Sequence, residues 1–378
     1  MRSFFGAIKR RIHGAKNVLW FAIHTSGSKP PQNIWDSQWK HITDYLESVN
    51  HGKYRCEVLQ ENFEAEYKWV GGVYFQQQIV GIANSGRDCL IIDLGKECVS
   101  RYGFLPEGTF KWSGGCAWNN CIYGFPRSSS ELLCIDFKNG DRTIECVPLP
   151  INYSGEHHYG GVCTKEGIVY QPPRNTGSIL KINLNTGEIT EIWISKKEKK
   201  FFYCGSLLHP NGLIYFFPQY KQRVMVLDPR DDKIYFIGKC ISSMVFGASI
   251  ALDGNIYGYS AYGTGILMIE TKTNKTKMIF KDKRFGCYGS ILGIYGSVLG
   301  VPGDGDLIYE FDPLTKKLSV LEKLQEKGKA KCAGAAMGPD GSIYCIPAMG
   351  TKIYVLRPER KHVIPETIIE STYINNCY

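Results

Sequence analysis

Glu156-His157-His158 is the one place in the chain where a carboxylate and two imidazoles stand side by side. Such a cluster can hold a divalent metal or relay a proton, provided that further acids face it. Asp304 and Asp306 are the acids a closed ring would bring opposite. A second set is chemically different: Trp69, Trp112, His158 and Tyr203 each stand two residues before a glycine (Gly71, Gly114, Gly160, Gly205). Flat side chains at one repeated position would form a stacking wall for a flat ligand or a peptide. Neither set has the spacing of a known catalytic motif, so what it can do depends on the elements that place it.

Those elements repeat. Taking the Tyr of "LIYFFP" as an anchor, one unit recurs at Val80, Tyr123, Tyr170, Tyr215, Tyr257, Leu299 and Tyr344, at intervals of 42 to 47 residues. Thirteen residues after each anchor stands Asp93, Asp136, Asn183, Asp228, Glu270, Asp312 or Arg357, with no insertion in any copy. A glycine precedes each anchor by nine or ten residues, and Asn-Gly or Asp-Gly pairs (Asn211-Gly212, Asp253-Gly254, Asp340-Gly341) supply tight hairpin turns. Proline often closes the anchor strand (Pro126, Pro173, Pro218, Pro302, Pro347), because it cannot donate to a ladder. Four short strands per unit of this length describe a propeller blade. The sequence therefore predicts an all-β, seven-bladed β-propeller of four-stranded blades over residues 53–378. Its ring closes either with Lys361 to Ile364 or with the upstream segment Lys53 to Gln60.

The pattern "KWSGG…IYGFP…LLCID" resembles the repeats of other propeller proteins, and more distantly those of the virginiamycin B lyase, SMP-30/gluconolactonase and NHL types. It lacks the Gly-His and Trp-Asp marks of WD40 repeats and the paired glycines of kelch. The resemblance spans all seven units and implies the fold. Neither the metal-binding carboxylates and Asn of an SMP-30 site nor the lyase's catalytic His has a matching local motif here. Activity does not follow from the fold.

In each blade, strand two returns to the face that also carries the connections between blades. The opposite face carries tight hairpins, His209 among them. The connections are long ("PLPINYSGEHH", "SKKEKKFFY", "EKLQEKGKAK") and place Lys196, Lys197, Lys199, Lys200, Lys281, Lys283, Arg284, Lys323, Lys327, Lys329 and Lys331 on one side. The leading expectation is a non-catalytic scaffold that binds a protein or peptide, one with acidic character, on this loop-rich face, with no cofactor. The alternative is a hydrolase, lactonase or lyase with a channel site around Glu156, His157, His158, Asp304 and Asp306, using a divalent metal. Nucleic-acid readout is not expected, because basic and aromatic residues are not interleaved in one stretch.

Residues 1–34 are of another kind, with Arg2, Lys9, Arg10, Arg11, Lys16 and Lys29 and no acid, six of the nine excess positive charges. This segment reads as a basic tail, a presequence for a mitochondrion or other organelle, or a helix that touches a membrane surface. Residues 35–52 follow with Trp35, Trp39, Ile42 and Leu46 at helical spacing, the stripe of an amphipathic helix. No window approaches the ~18 apolar residues of a membrane span. The fourteen cysteines include no C-x-x-C pair. They read as small buried hydrophobes in a reducing compartment, for which the cytoplasm is the first expectation.

Overall fold

The computed structural model describes residues 36–370 apart from 50, 65, 138–141, 152 and 196–199. The basic segment, Trp35, Lys196, Lys197 and Lys199 therefore lie outside the described residues. Among those described, seven antiparallel sheets form one ring, six of four strands and one of five. Blade 1 runs Trp69–Phe75, Gln78–Ala83, Cys89–Asp93 and Cys98–Tyr102, and blade 2 repeats it with Trp112–Trp118, Cys121–Pro126, Glu131–Asp136 and Thr143–Pro148. In blade 1 the first three strands are mostly buried and the fourth is edge-like and polar. Apolar residues on facing sheets interlock between blades: Val80, Ile82 and Ile91 of blade 1 share a cluster with Ile122 and Leu133 of blade 2.

The repeated glycine has a steric cause. Gly71 adopts a φ of +81°, and a Cβ there would stand 2.7 Å from the Cα of Gly114 in the next blade. At Gly205 (φ +69°) a Cβ would fall on the carbonyl oxygen of Phe246. The innermost strands are thus too close for side chains at that height, and five of the seven take a bulge there. The pairing register slips between Trp69 and Gly72, Trp112 and Gly115, Tyr203 and Ser206, Cys287 and Ser290, and Cys332 and Ala335.

Blade 3 departs from the pattern. Its inner strand is reduced to Val162–Cys163, while Arg174–Thr176, just after its second strand, pairs with Phe201–Leu208 of blade 4 as the fifth strand of that sheet. Blades 3 and 4 are therefore stitched together by backbone.

Of the two closures the sequence allows, the chain uses the upstream one. Tyr54–Gln60 pairs antiparallel with Ile353–Pro358, matching Tyr54 to Pro358 and Cys56 to Leu356. Lys361 to Ile364 forms no strand. It leads instead to the short helix Glu366–Ile369, with Pro365 breaking any ladder. Tyr54 pins the clasp: its hydroxyl accepts from the Ile294 amide at 2.7 Å and faces the Gly341 carbonyl at 3.3 Å.

Helix α1 (Ser37–Ser48) begins at Asp36, whose carboxylate accepts from the Gln38 amide at 2.8 Å. It buries Trp39, Ile42 and Leu46, one face of the helix. These join a cluster with Leu208 and Leu213 of blade 4, Leu292 of blade 6, Met337 of blade 7, and Ile364, Ile368 and Ile369 of the C-terminal segment. The Asp36 amide donates to Pro210 in the blade 4 hairpin, and its carboxylate pairs with Lys165 in the blade 3 hairpin. Both helices therefore sit on the hairpin face and leave the loop-rich face uncovered by them. No helix among the described residues is long and apolar enough to cross a membrane.

Tyr54→Phe removes one hydroxyl from the clasp and leaves the buried Ile294 amide without an acceptor. A loss of roughly 1–3 kcal/mol is expected, read as a lower urea midpoint with an unchanged slope.

Candidate functional site

The four flat residues expected to line a stacking wall are all buried, with Trp69, Trp112 and His158 at 0 % exposure and Tyr203 at 1 %. Each reaches over its own blade to a backbone carbonyl at the start of the third strand. Trp69 donates to Asp88 (2.9 Å), Trp112 to Glu131 (2.7 Å) and Tyr203 to Arg223 (3.0 Å), while His158 Nε2 lies 3.2 Å from the Ser178 carbonyl. One structural task, satisfying an inner carbonyl, explains the repeated position. None of the four rings offers an open face to a ligand in this structure.

Glu156 sits at the channel mouth between two guanidiniums. Arg127 Nη2 lies 3.0 Å from its carboxylate, and Arg174 pairs with the same oxygen from the other side. Burial works against the carboxylate, but the two arginines outweigh it and hold its pKa below the ordinary glutamate value. The Arg127 guanidinium lies over the rings of Phe110 (4.2 Å) and Tyr159 (4.4 Å), and Arg174 lies over Tyr159 at 5.0 Å. Arg174 Nη1 also donates to Gln219 of blade 4 at 2.7 Å. The expected metal-or-proton cluster is thus joined to arginines of blades 2 and 3, which the sequence reading did not single out. Both stand four residues after their blade anchor, and that shared column is the signal that marks them.

The two histidines face each other, Nδ1 to Nδ1 at 2.9 Å. His157 Nε2 lies 3.1 Å from the Ser129 carbonyl of blade 2, and His158 Nε2 faces the Ser178 carbonyl of blade 3. Two neutral rings bring two N–H protons to three such contacts. Burial pushes His157 down to about 4, opposed by the Ser129 carbonyl. Burial and then the neighbouring His157 push His158 down to about 3, against the Ser178 carbonyl.

Asp304, in the loop after strand two of blade 6, accepts from the Tyr288 hydroxyl and from the Ala330 amide, both at 2.9 Å. Asp306 is exposed at the tip of the same loop. Between the Glu156 and Asp304 sides the channel is filled. Tyr159, Phe246 and Tyr288 form a chain of ring contacts (5.7 and 4.6 Å) inside a cluster that also holds Val70, Cys204, Met244, Ala333 and Ala348, with Tyr67 packed against it. Burial raises the Tyr67 phenol, Tyr159 and Asp304 add to the rise, and Arg127 opposes it, so the two sides meet electrostatically at this residue. Among the described residues no three His, Cys, Asp or Glu side chains are grouped to hold a metal ion.

One expected surface lysine belongs to the interior. Lys331 is 2 % exposed, and its ammonium is within 2.9–3.4 Å of the carbonyls of Gly303, Asp304, Gly305 and Gly328. Lys68 and Lys111 occupy the equivalent place, one residue before the flat position. Lys68 donates to Glu66 and Gly350, and Lys111 to Gly86 and Pro106. Each lysine ties the start of its blade to the turn of the preceding blade. Burial lowers Lys68 to about 8.

What remains open on the loop-rich face lies at the tips. Tyr220, Tyr262 and Phe104 are among the exposed large hydrophobics, with Met349 at the margin. A depression of about 370 Å³ lies between the blade 5 loop (Ala261, Tyr262, Gly263), the blade 5–6 connection (Lys283 to Gly286) and the blade 6 loop (Asp304, Gly305).

No protein-family model matches the chain, and no curated protein sequence matches it. Solved structures do match. A streptogramin B lyase is 14% identical, with 81% of this chain and 98% of that one covered and a TM-score of 0.67. A catalytically inactive virginiamycin B lyase from Staphylococcus aureus with quinupristin gives the same identity and TM-score, with 81% and 99% covered. YCF48 bound to D1 peptide is 9% identical, with 84% and 97% covered and a TM-score of 0.61. These likenesses place the chain among β-propellers of the expected kind and go no further than the fold.

Two outcomes follow. His157 and His158 have pKa values below the unfolded value of about 6.5, so unfolding takes up protons at acid pH. Their contribution is complete above that value and is lost as pH falls through the range from about 6.5 to about 4 for His157 and about 3 for His158. Denaturation at pH 7 and pH 5 should show the loss, and His158→Gln should flatten the slope by up to about 1.4 kcal/mol per pH unit. Lys331→Met keeps the stem but takes the ammonium away from the carbonyls of Asp304, Gly305 and Gly328, Gly303 keeping the Lys331 amide, and roughly 1–3 kcal/mol of stability should be lost in the same assay at pH 7.

Proposed function

We propose that the chain is a non-catalytic scaffold that binds a protein or peptide of acidic character on the loop-rich face of the propeller. The observation that carries this reading is the engagement of Glu156, His157, His158 and Asp304, four of the five side chains that could have done chemistry at the channel, Asp306 being exposed at a loop tip. Glu156 is held by Arg127 and Arg174, the two histidines face backbone carbonyls, and Asp304 closes a loop with Tyr288 and Ala330. A general acid or base needs a proton to exchange with a substrate, and these groups are already committed within the fold. The helices on the hairpin face leave the loops as the adaptable surface. That YCF48, a propeller of related shape, is seen with a peptide bound supports the fold's suitability for such a role. The thirteen described cysteines are free thiols, which suits a reducing compartment, and we assign the chain to the cytoplasm.

The test is selection of a displayed random peptide library on the full-length protein, together with a screen of ester and lactone hydrolysis and of lyase turnover. Recovered peptides should compete with one another for one site. They should lose binding on substitution of loop-tip residues, while the hairpin-face variant Val363→Asp retains it. Turnover that Asp304→Asn abolishes in a protein of unchanged melting temperature would overturn the scaffold reading in favour of a channel enzyme.

A further inference from the structure

The loop-rich face is not uniform around the ring. At the tip five residues past the anchor, blades 1, 2 and 3 carry Ser85, Ser128 and Asn175, whereas blades 4 and 5 carry Tyr220 and Tyr262, 61 % and 55 % exposed. Each of these rings has exposed lysines close by. Lys221 follows Tyr220, and Lys283 lines the same depression as Tyr262. The blade 5 loop is pressed onto the Lys283 backbone, since a Cβ on Gly263 would stand 3.0 Å from it. On this sector Lys200, Lys221, Lys281 and Lys283 are exposed, while Asp282 is taken up by Arg284 in a pair at 2.7 Å.

The presentation of Tyr220 is strained. Tyr220 and Lys221 both have positive φ, +60° and +39°, in the turn that leads into Gln222–Asp228. Asn and Gly are the residues that adopt such a turn cheaply, so a Tyr-Lys pair there works against the backbone while projecting a ring and an ammonium outward. Its base is fixed from below, because Gln219 accepts from Arg174 and donates to the Met244 sulfur at 3.7 Å.

We propose that Tyr220, Lys221, Tyr262 and Lys283 form one docking strip for an extended acidic peptide segment, its aromatic or aliphatic side chains on the two tyrosines and its carboxylates on the two lysines. This rests on the scaffold reading and names its contact surface and partner chemistry. Tyrosine suits the role because a large amphipathic ring is held by few rotatable bonds. The lysines set charge selection and association rate. Asp304 and Gly305 complete the depression beside Tyr262 and leave room for one inserted side chain.

The probe is an array of 12-residue peptides in which Asp or Glu alternates with Leu, Phe or Tyr, beside the same peptides with Lys replacing the acids and beside single-stranded oligonucleotides. The full-length protein should be retained by the acidic peptides and not by the basic ones. Tyr262→Ala/Lys283→Glu and Tyr220→Ala/Lys221→Glu should each weaken that binding at least tenfold, with Val363→Asp unchanged. All four positions are exposed, and circular dichroism establishes that the variants are folded. In the blade 1 loop Arg87 lies over the exposed Phe104 ring at 4.2 Å, and acidic peptides that bind the strip variants as tightly as the wild type, but are lost with Arg87→Glu/Phe104→Ala, would overturn the strip and keep the scaffold. Retention on oligonucleotides in place of peptides would overturn the assignment of partner. No retention of any peptide, of either charge, would remove the scaffold reading and the strip together.

Discussion

Everything in this propeller follows from the crowding of its innermost strands. Seven sheets meeting at one axis bring backbone against backbone, and side chains are excluded at the height of Gly71 and Gly205. Five inner strands take a bulge there, and the side chain two residues before the glycine turns away from the axis and into the blade, in blade 3 without a bulge. Trp69, Trp112, His158 and Tyr203 therefore close off backbone carbonyls, and the next residue in each blade, such as Tyr159, Phe246 or Tyr288, fills the channel. A propeller with this axis has little space for a ligand in the channel at that level.

The second consequence concerns polar groups. Each blade start must be fastened to the turn of the blade before it, and the chain meets this need in two ways. In three blades a buried lysine, Lys68, Lys111 or Lys331, gathers several carbonyls at once. Around blade 3, where the inner strand is cut short, the fastening is ionic and aromatic: Arg127 and Arg174 hold Glu156 above the Tyr159 ring, and the two histidines bridge the carbonyls of blades 2 and 3. The residues that look most like chemistry in the sequence thus stand where the repeat is weakest. There, they stand in for inner-strand pairing that blades 1, 2, 4, 6 and 7 have.

The architecture was legible because the repeat is a physical necessity written in residue types: glycine for close approach, Asn-Gly and Asp-Gly for hairpins, proline where a ladder stops. Even the alternative closing segment, Lys53 to Gln60, could be named from its composition, although the choice between two closures needed the structure. The fate of the candidate site was not legible. A tryptophan at a blade start has the same letter whether it faces a ligand or an inner carbonyl, and only the geometry of the bulge separates the two. Lys331 was misplaced for the same reason, since a lysine among other lysines reads as solvated surface, yet four carbonyls surround it. Aligning the repeats by column rather than scanning along the chain would have exposed both the lysines before the flat position and the arginines four residues after the anchor.

The closing strand also sets the order in which this molecule can come into being. Tyr54–Gln60 leaves the ribosome before any blade strand, yet its partner Ile353–Pro358 follows all seven inner strands. Until the seventh blade emerges the leading strand has no ladder to join, and the growing arc of blades keeps an unpaired edge at each end. Such edges invite pairing between neighbouring nascent chains. A strand that waits this long for its place also makes the ring a checkpoint: only a chain translated to its final blade can complete the circle.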